Sequence, residues 1–168
     1  MKINANEKHK TWGRSRSNRL PNYDYSKDRP VHVTVCTDNK ENIFDLQTHA
    51  RIVIDELLRA AKDVRFRMLC YCLMPDHLHV IVSPGESSLT VSKFLNIFKG
   101  RTTAVFREKK DLKKIWQRSA FDHVIRTEEN LKGVIEYIRN NPVRKGIVEN
   151  ADDYPYSKSF DAEIKRYL

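Results

Sequence analysis

Two hydrophobic periods alternate along the chain, and their switches mark its elements. In "VHVTVC" (31–36) apolar and polar residues alternate and the side chains are mostly β-branched, which predicts a strand. "LQTHARIVIDELLRAAKDV" (46–64) repeats its apolar residues at three-and-four spacing and predicts an amphipathic helix. Two strand-like runs follow, "RFRMLCYCLM" (65–74) and "HLHVIVS" (77–83), separated only by the turn signal Pro75-Asp76. That combination predicts an antiparallel hairpin. "SLTVSKFLNIFKGRTTAVFREKK" (88–110) returns to helical spacing. Val91, Phe94, Leu95, Ile97 and Phe98 form its apolar side, lysines and arginines load the other, and Gly100 marks a potential break. "FDHVIR" (121–126) reads as a short strand or connector. "TEENLKGVIEYIRN" (127–140) is a second amphipathic helix, with Thr127 as N-cap, acids in its first turn and a stripe of Leu131, Val134, Ile135 and Ile138. Pro142 ends it.

Strand, helix, hairpin, helix, strand and helix in that order predict an α+β domain, an antiparallel sheet with helices packed on it. There is no internal repeat. The domain spans 31–148, preceded by a basic arm over 1–30, poor in aliphatics and punctuated by Pro21 and Pro30, and followed by a tail over 149–168.

Charge narrows the partner. The net charge is +9, but it is concentrated: residues 1–30 hold eight lysines and arginines against three acids, and residues 93–118 hold nine against two. Clusters of this kind point to a polyanion, nucleic acid before anionic membrane. The alternative is a merely solvated, solubilising surface. No run approaches the roughly 18 apolar residues of a membrane span, and the N-terminus lacks the apolar core of a secretory signal. Three cysteines, Cys36, Cys70 and Cys72, form no disulfide framework. A soluble, cytoplasmic protein with no membrane partner is expected, nucleoid-associated when bound to DNA.

The chemistry centres on "YCLMPDHLHVIV" (71–82), where His77 and His79 sit two apart in an apolar run. On a strand both imidazoles project from one face while Leu78, Val80 and Val82 face the other. Two parallel imidazoles can hold one divalent cation, given a third ligand and an open position. As a bare pattern they can equally be a chance pair on a polar face. A closed zinc site from Cys70, Cys72, His77 and His79 is a rival. It depends on register, since a two-residue turn sets Cys72 opposite His79 and a three-residue turn sets Tyr71 there. In the last helix Tyr137 and Asn141 lie about 40° apart at the border of the buried stripe. A tyrosine hydroxyl can attack a backbone phosphorus if a metal polarises the phosphate, and Asn141 can supply a third, oxygen ligand. Mn²⁺ suits two imidazoles at least as well as Mg²⁺.

"LMPDHLHVIV", "IWQRSAFDHVIR" and "EYIRNNPVRKGIV", in this order and spacing, resemble the REP-associated tyrosine transposases, within the single-tyrosine HUH transposases. The likeness runs from about Val31 to Tyr156 and leaves out the arm. It implies a ferredoxin-like antiparallel sheet with packed helices, metal ligands at His77, His79 and Asn141, and a nucleophile at Tyr137. It also implies cleavage of single-stranded DNA beside hairpins of palindromic repeats through a 5′-phosphotyrosine, with Mg²⁺ or Mn²⁺, by a monomer or a homodimer. A domesticated relative that grips hairpins without cutting is the alternative. The candidate nucleic-acid contacts are Arg14, Arg16 and Arg19 of the arm, Lys93, Lys99, Arg101, Arg107, Lys109 and Lys110 of the basic helix, and Trp116, Arg118 and Arg144. Trp116, Phe121 and the Tyr154/Tyr156 pair are candidates for stacking on unpaired bases.

Overall fold

A computed structural model describes residues 28–109, 112, 114–125 and 128–168. Arg14, Arg16, Arg19, Lys110 and Thr127 lie outside the described residues.

The strand pattern at 31–36 becomes β1 (Val31–Cys36), and its alternation is also its burial pattern: Val31, Val33 and Val35 are buried while the residues between are half-exposed. The hairpin is β2 (Arg67–Met74) and β3 (His77–Ser83), closed by the two residues Pro75 and Asp76. With β4 (Phe121–Val124) and β5 (Ser157–Ser159) they form one five-stranded sheet in the order β4-β1-β3-β2-β5, antiparallel throughout. The helices are α1 (Gln47–Asp63), α2 (Val91–Glu108), α3 (Glu128–Arg139) and the single turns α4 (Asn141–Arg144) and α5 (Asp161–Ile164). Through β4 the sequence of elements is β-α-β-β-α-β, the ferredoxin-like arrangement.

The sheet has two different faces. On one, Val33, Val35, Leu78, Val80 and Leu73 meet α1 through Val53 and Leu57 and α2 through Phe94 and Phe98. Full burial of each such side chain contributes about 1.5–3 kcal/mol. On the other, α3 covers β2 through Leu131 and Ile138, packed with Cys70, Cys72 and Ile81. Because the face over β1 and β3 is built from His32, Thr34, Cys36, His77 and His79, the polar half of the sheet lies beside α3.

One expectation changes. α2 runs unbroken through Gly100, whose Cβ position opens to solvent, so neither packing nor a turn requires a break there. The tail over 149–168 also joins the sheet. It adds β5 to the edge of β2, and Tyr154 buries its ring and donates its hydroxyl to the Leu73 carbonyl at 2.6 Å.

Candidate active site

His77 opens β3 directly after the turn, and His79 follows on the same face with 6% of its surface exposed. Their rings stand edge to face at 88°, and their Nε2 atoms are 3.1 Å apart. Each ring is oriented from behind. His77 Nδ1 is 2.5 Å from the Asp76 carboxylate, and His79 Nδ1 is 3.0 Å from Thr34 Oγ1 and 3.1 Å from His32 Nε2. Burial, followed by the neighbouring His77 and His32, pushes the His79 imidazole down to about 3, which keeps the ring neutral at neutral pH. Two nitrogens bound to one ion at about 2.0–2.2 Å and 90–110° are roughly 2.8–3.6 Å apart, and this pair meets that condition.

The register also decides the rival site. Cys72 is indeed opposite His79 and Cys70 opposite Ile81, so the thiols share the histidines' face. They are nevertheless core groups. Burial pushes Cys70 up to about 11 and Cys72 up to about 12, and Cys72 Sγ lies 3.8 Å from Met74 Sδ. Among the described residues no group of three or more His, Cys, Asp or Glu is placed to hold an ion. A closed zinc site does not form among the described residues.

Tyr137 is that neighbourhood's exposed aromatic: 45% of its surface is accessible, and its ring centroid lies 6.0 Å from that of His79 in a T-shaped contact. Asn141 is buried and belongs to α4 rather than to the helix of Tyr137, because α3 ends at Arg139 and Pro142 occupies the first turn of the next helix. The one-turn spacing survives across the junction, with Asn141 Nδ2 donating to the Tyr137 carbonyl at 3.3 Å. That leaves Oδ1 as the atom Asn141 can offer to an ion. The last residue of α4, Arg144, lies over the Tyr137 ring with its guanidinium carbon 4.7 Å from the centroid.

The remaining candidates separate. Lys93, Arg107, Lys109 and Arg118 are exposed. Arg101 is engaged with Asp63 at 2.7 Å. Lys99 is turned toward the chain ahead of β4: its half-buried Nζ donates to the carbonyls of Gln117 and Arg118, and burial lowers its pKa. Trp116 is no stacking platform. It is 5% exposed, lies between Phe44 and Phe98, and donates Nε1–H to Thr102 at 2.7 Å. Tyr154 is likewise buried, its ring at right angles to that of Tyr156. The Phe121 side chain lies outside the description. Sequence reasoning missed His32, Thr34 and Asp76 as supports of the histidines. The alternation of β1 puts His32 and Thr34 on one face but does not say which strand lies beside it.

No helix among the described residues is long and apolar enough to cross a membrane. The model of the IS200-like transposase family matches residues 26–141. A Haemophilus influenzae protein of uncharacterised function is 26% identical over 158 residues, 76% of this chain and 88% of its own. The REP-associated tyrosine transposase of Escherichia coli K12 is 28% identical over 125 residues, covering 73% of this chain and 72% of that one. A solved structure, that of a REP-associated tyrosine transposase bound to a REP hairpin, superposes with a TM-score of 0.69 at 23% identity, over 88% of this chain and 86% of that one. The family match spans the paired histidines, Tyr137 and Asn141, and by it the chain belongs to the IS200-like transposases, with relatives among the REP-associated tyrosine transposases.

Proposed function

We propose that the chain is a metal-dependent single-strand DNA endonuclease and strand transferase that cuts beside hairpins through a 5′-phosphotyrosine. One observation carries the reading: an exposed tyrosine stands in ring contact with His79, whose Nε2 converges with that of His77. His77 and His79 would hold the ion, and the Oδ1 of Asn141 is the third donor this chain has to offer. The chemistry an ion held there would supply is polarisation of a phosphate oxygen and offsetting of the charge on the departing one, with Mg²⁺ or Mn²⁺ as the candidates.

The chain's own groups do the rest. Tyr137 Oη attacks the phosphorus, a new O–P bond forms, and the P–O3′ bond breaks. The phenol proton passes to solvent, and the released 3′ oxygen takes one up. The 5′-phosphoryl stays on Tyr137, so the reverse attack by a 3′-hydroxyl rejoins the strand without external energy. Asp76, Thr34 and His32 hold the imidazoles in their orientation meanwhile. Lys93 and Arg107 of α2, and Lys109 just past its end, are exposed and suit the phosphates of a hairpin stem. Hairpin DNA as partner is supported by the related transposase, which was solved on a REP hairpin.

The test is a denaturing gel of the protein with labelled single strands from both flanks of its own gene, plus Mn²⁺ or Mg²⁺. A covalent band that needs metal and is absent in Tyr137→Phe is expected. A native-gel shift on the same hairpins with no covalent band would instead identify a domesticated binding protein.

A further inference from the structure

Arg144 differs from the ion-paired arginines among the described residues. Arg67 pairs with Asp28, Arg101 with Asp63 and Arg139 with Asp152, whereas among the described residues no carboxylate pairs with Arg144. It is exposed, and it closes the single turn of α4, whose first residue is Asn141. Its backbone is fixed there: the Arg144 N–H donates to the Asn140 carbonyl at 2.9 Å, and the chain then turns through Gly146 at φ +67°, a left-handed conformation suited to glycine. The guanidinium carbon lies 4.7 Å from the centre of the Tyr137 ring, and the same ring meets His79 in a T-shaped contact.

We propose that Arg144 is a second catalytic residue of the tyrosine centre, holding the Tyr137 ring by stacking and donating to a non-bridging oxygen of the phosphate that Tyr137 attacks. The inference rests on the phosphotyrosine reading above. A planar guanidinium can stack on a ring through its face and still direct N–H donors outward from its edge, which an ammonium cannot do. Lying beside the nucleophile's ring, those donors meet the phosphate as it gains charge in the transition state, which is where a fixed donor accelerates the reaction. Arg144 transfers no proton, since a guanidinium stays charged and has no acceptor atom. The bonds made and broken are those already given, and Arg144 changes only the charge and orientation around them.

The experiment compares the wild type with Arg144→Gln and Arg144→Lys. It uses a single strand that the wild type cuts, with an ordinary scissile phosphate or with sulfur in place of one or the other non-bridging oxygen. At saturating protein, adduct formation should fall by about a hundredfold or more in Arg144→Gln. Lysine should rescue little of it, while strand affinity and melting temperature stay close to wild type. The wild type should discriminate between the two phosphorothioate isomers, and Arg144→Gln should lose part of that discrimination, which a purely structural role would leave intact. An unchanged adduct rate overturns the proposal. So does a loss confined to affinity, which makes Arg144 an ordinary backbone contact. A wild type that forms no adduct on any flanking strand defeats the phosphotyrosine reading itself and this inference with it, whereas a normal wild type beside an unimpaired variant defeats only the inference.

Discussion

Asp76 and His77 are adjacent in sequence, yet the carboxylate reaches the imidazole only because the two-residue turn folds it back onto the first ring of β3. A carboxylate behind a ligating histidine fixes its tautomer and strengthens it as a donor. Asp76→Asn should therefore weaken Mn²⁺ binding by about 10–100-fold with little change in fold, as read by metal titration. His79 makes a prediction about pH. Unfolded, its imidazole titrates near 6.5; folded, burial and the two neighbouring histidines hold it at about 3. Above the unfolded value both states are neutral and the group contributes nothing to the pH dependence. As the pH falls below it, the unfolded chain takes up a proton that the folded one refuses, so stability declines until the folded value is reached. Near pH 5 the loss is about 2 kcal/mol, and His79→Gln should flatten that part of the curve in urea melts run with a chelator.

Among the elements, α2 shows how a helix divides its charges. The pattern of apolar residues placed its buried side correctly, but it could not tell a lysine facing solvent from one folded back under a loop. Lys93, Arg107 and Lys109 face out, while Lys99 pins the carbonyls of Gln117 and Arg118, just before β4. Neutralising Lys109 should reduce the salt dependence of DNA binding by up to about one slope unit. Lys99→Met should leave that slope unchanged and cost about 1–3 kcal/mol of stability, since it strips a charged donor from two carbonyls. Salt titrations and melts on both variants separate the two faces. Trp116 teaches the same lesson: alone it reads as a base-stacking ring, and only its closure against Phe44 and Phe98 of other elements makes it core.

Across the whole molecule the chain's last twenty residues matter most to how the sheet ends. β5 covers the edge of β2, Tyr154 satisfies the Leu73 carbonyl, and Tyr167 donates to Asp28 at 2.5 Å beside Arg67 and Ser83, tying the start of the described chain to its end. A chain truncated after Glu149 should thus lose cooperative unfolding and expose apolar surface to a hydrophobic dye, where removal of a loose tail would change neither. Tyr154→Phe, which orphans one buried carbonyl, should cost about 1–3 kcal/mol in a thermal or urea melt.

The sequence by itself determined the period of each element, and with it β1, the hairpin, the two long helices, the shared face of His77 and His79 and the one-turn spacing of Tyr137 and Asn141. These follow from residues a few positions apart, because the pleat and the helical turn are local repeats. Tertiary structure alone decided that Cys70 and Cys72 are core thiols rather than ligands, that Thr34 and His32 stand behind His79, that Trp116 and Lys99 point inward, and that 149–168 joins the sheet. Each of these turns on residues well separated in sequence meeting across a sheet or a helix interface. Which partners meet there is set by register and packing, to which local periodicity is blind.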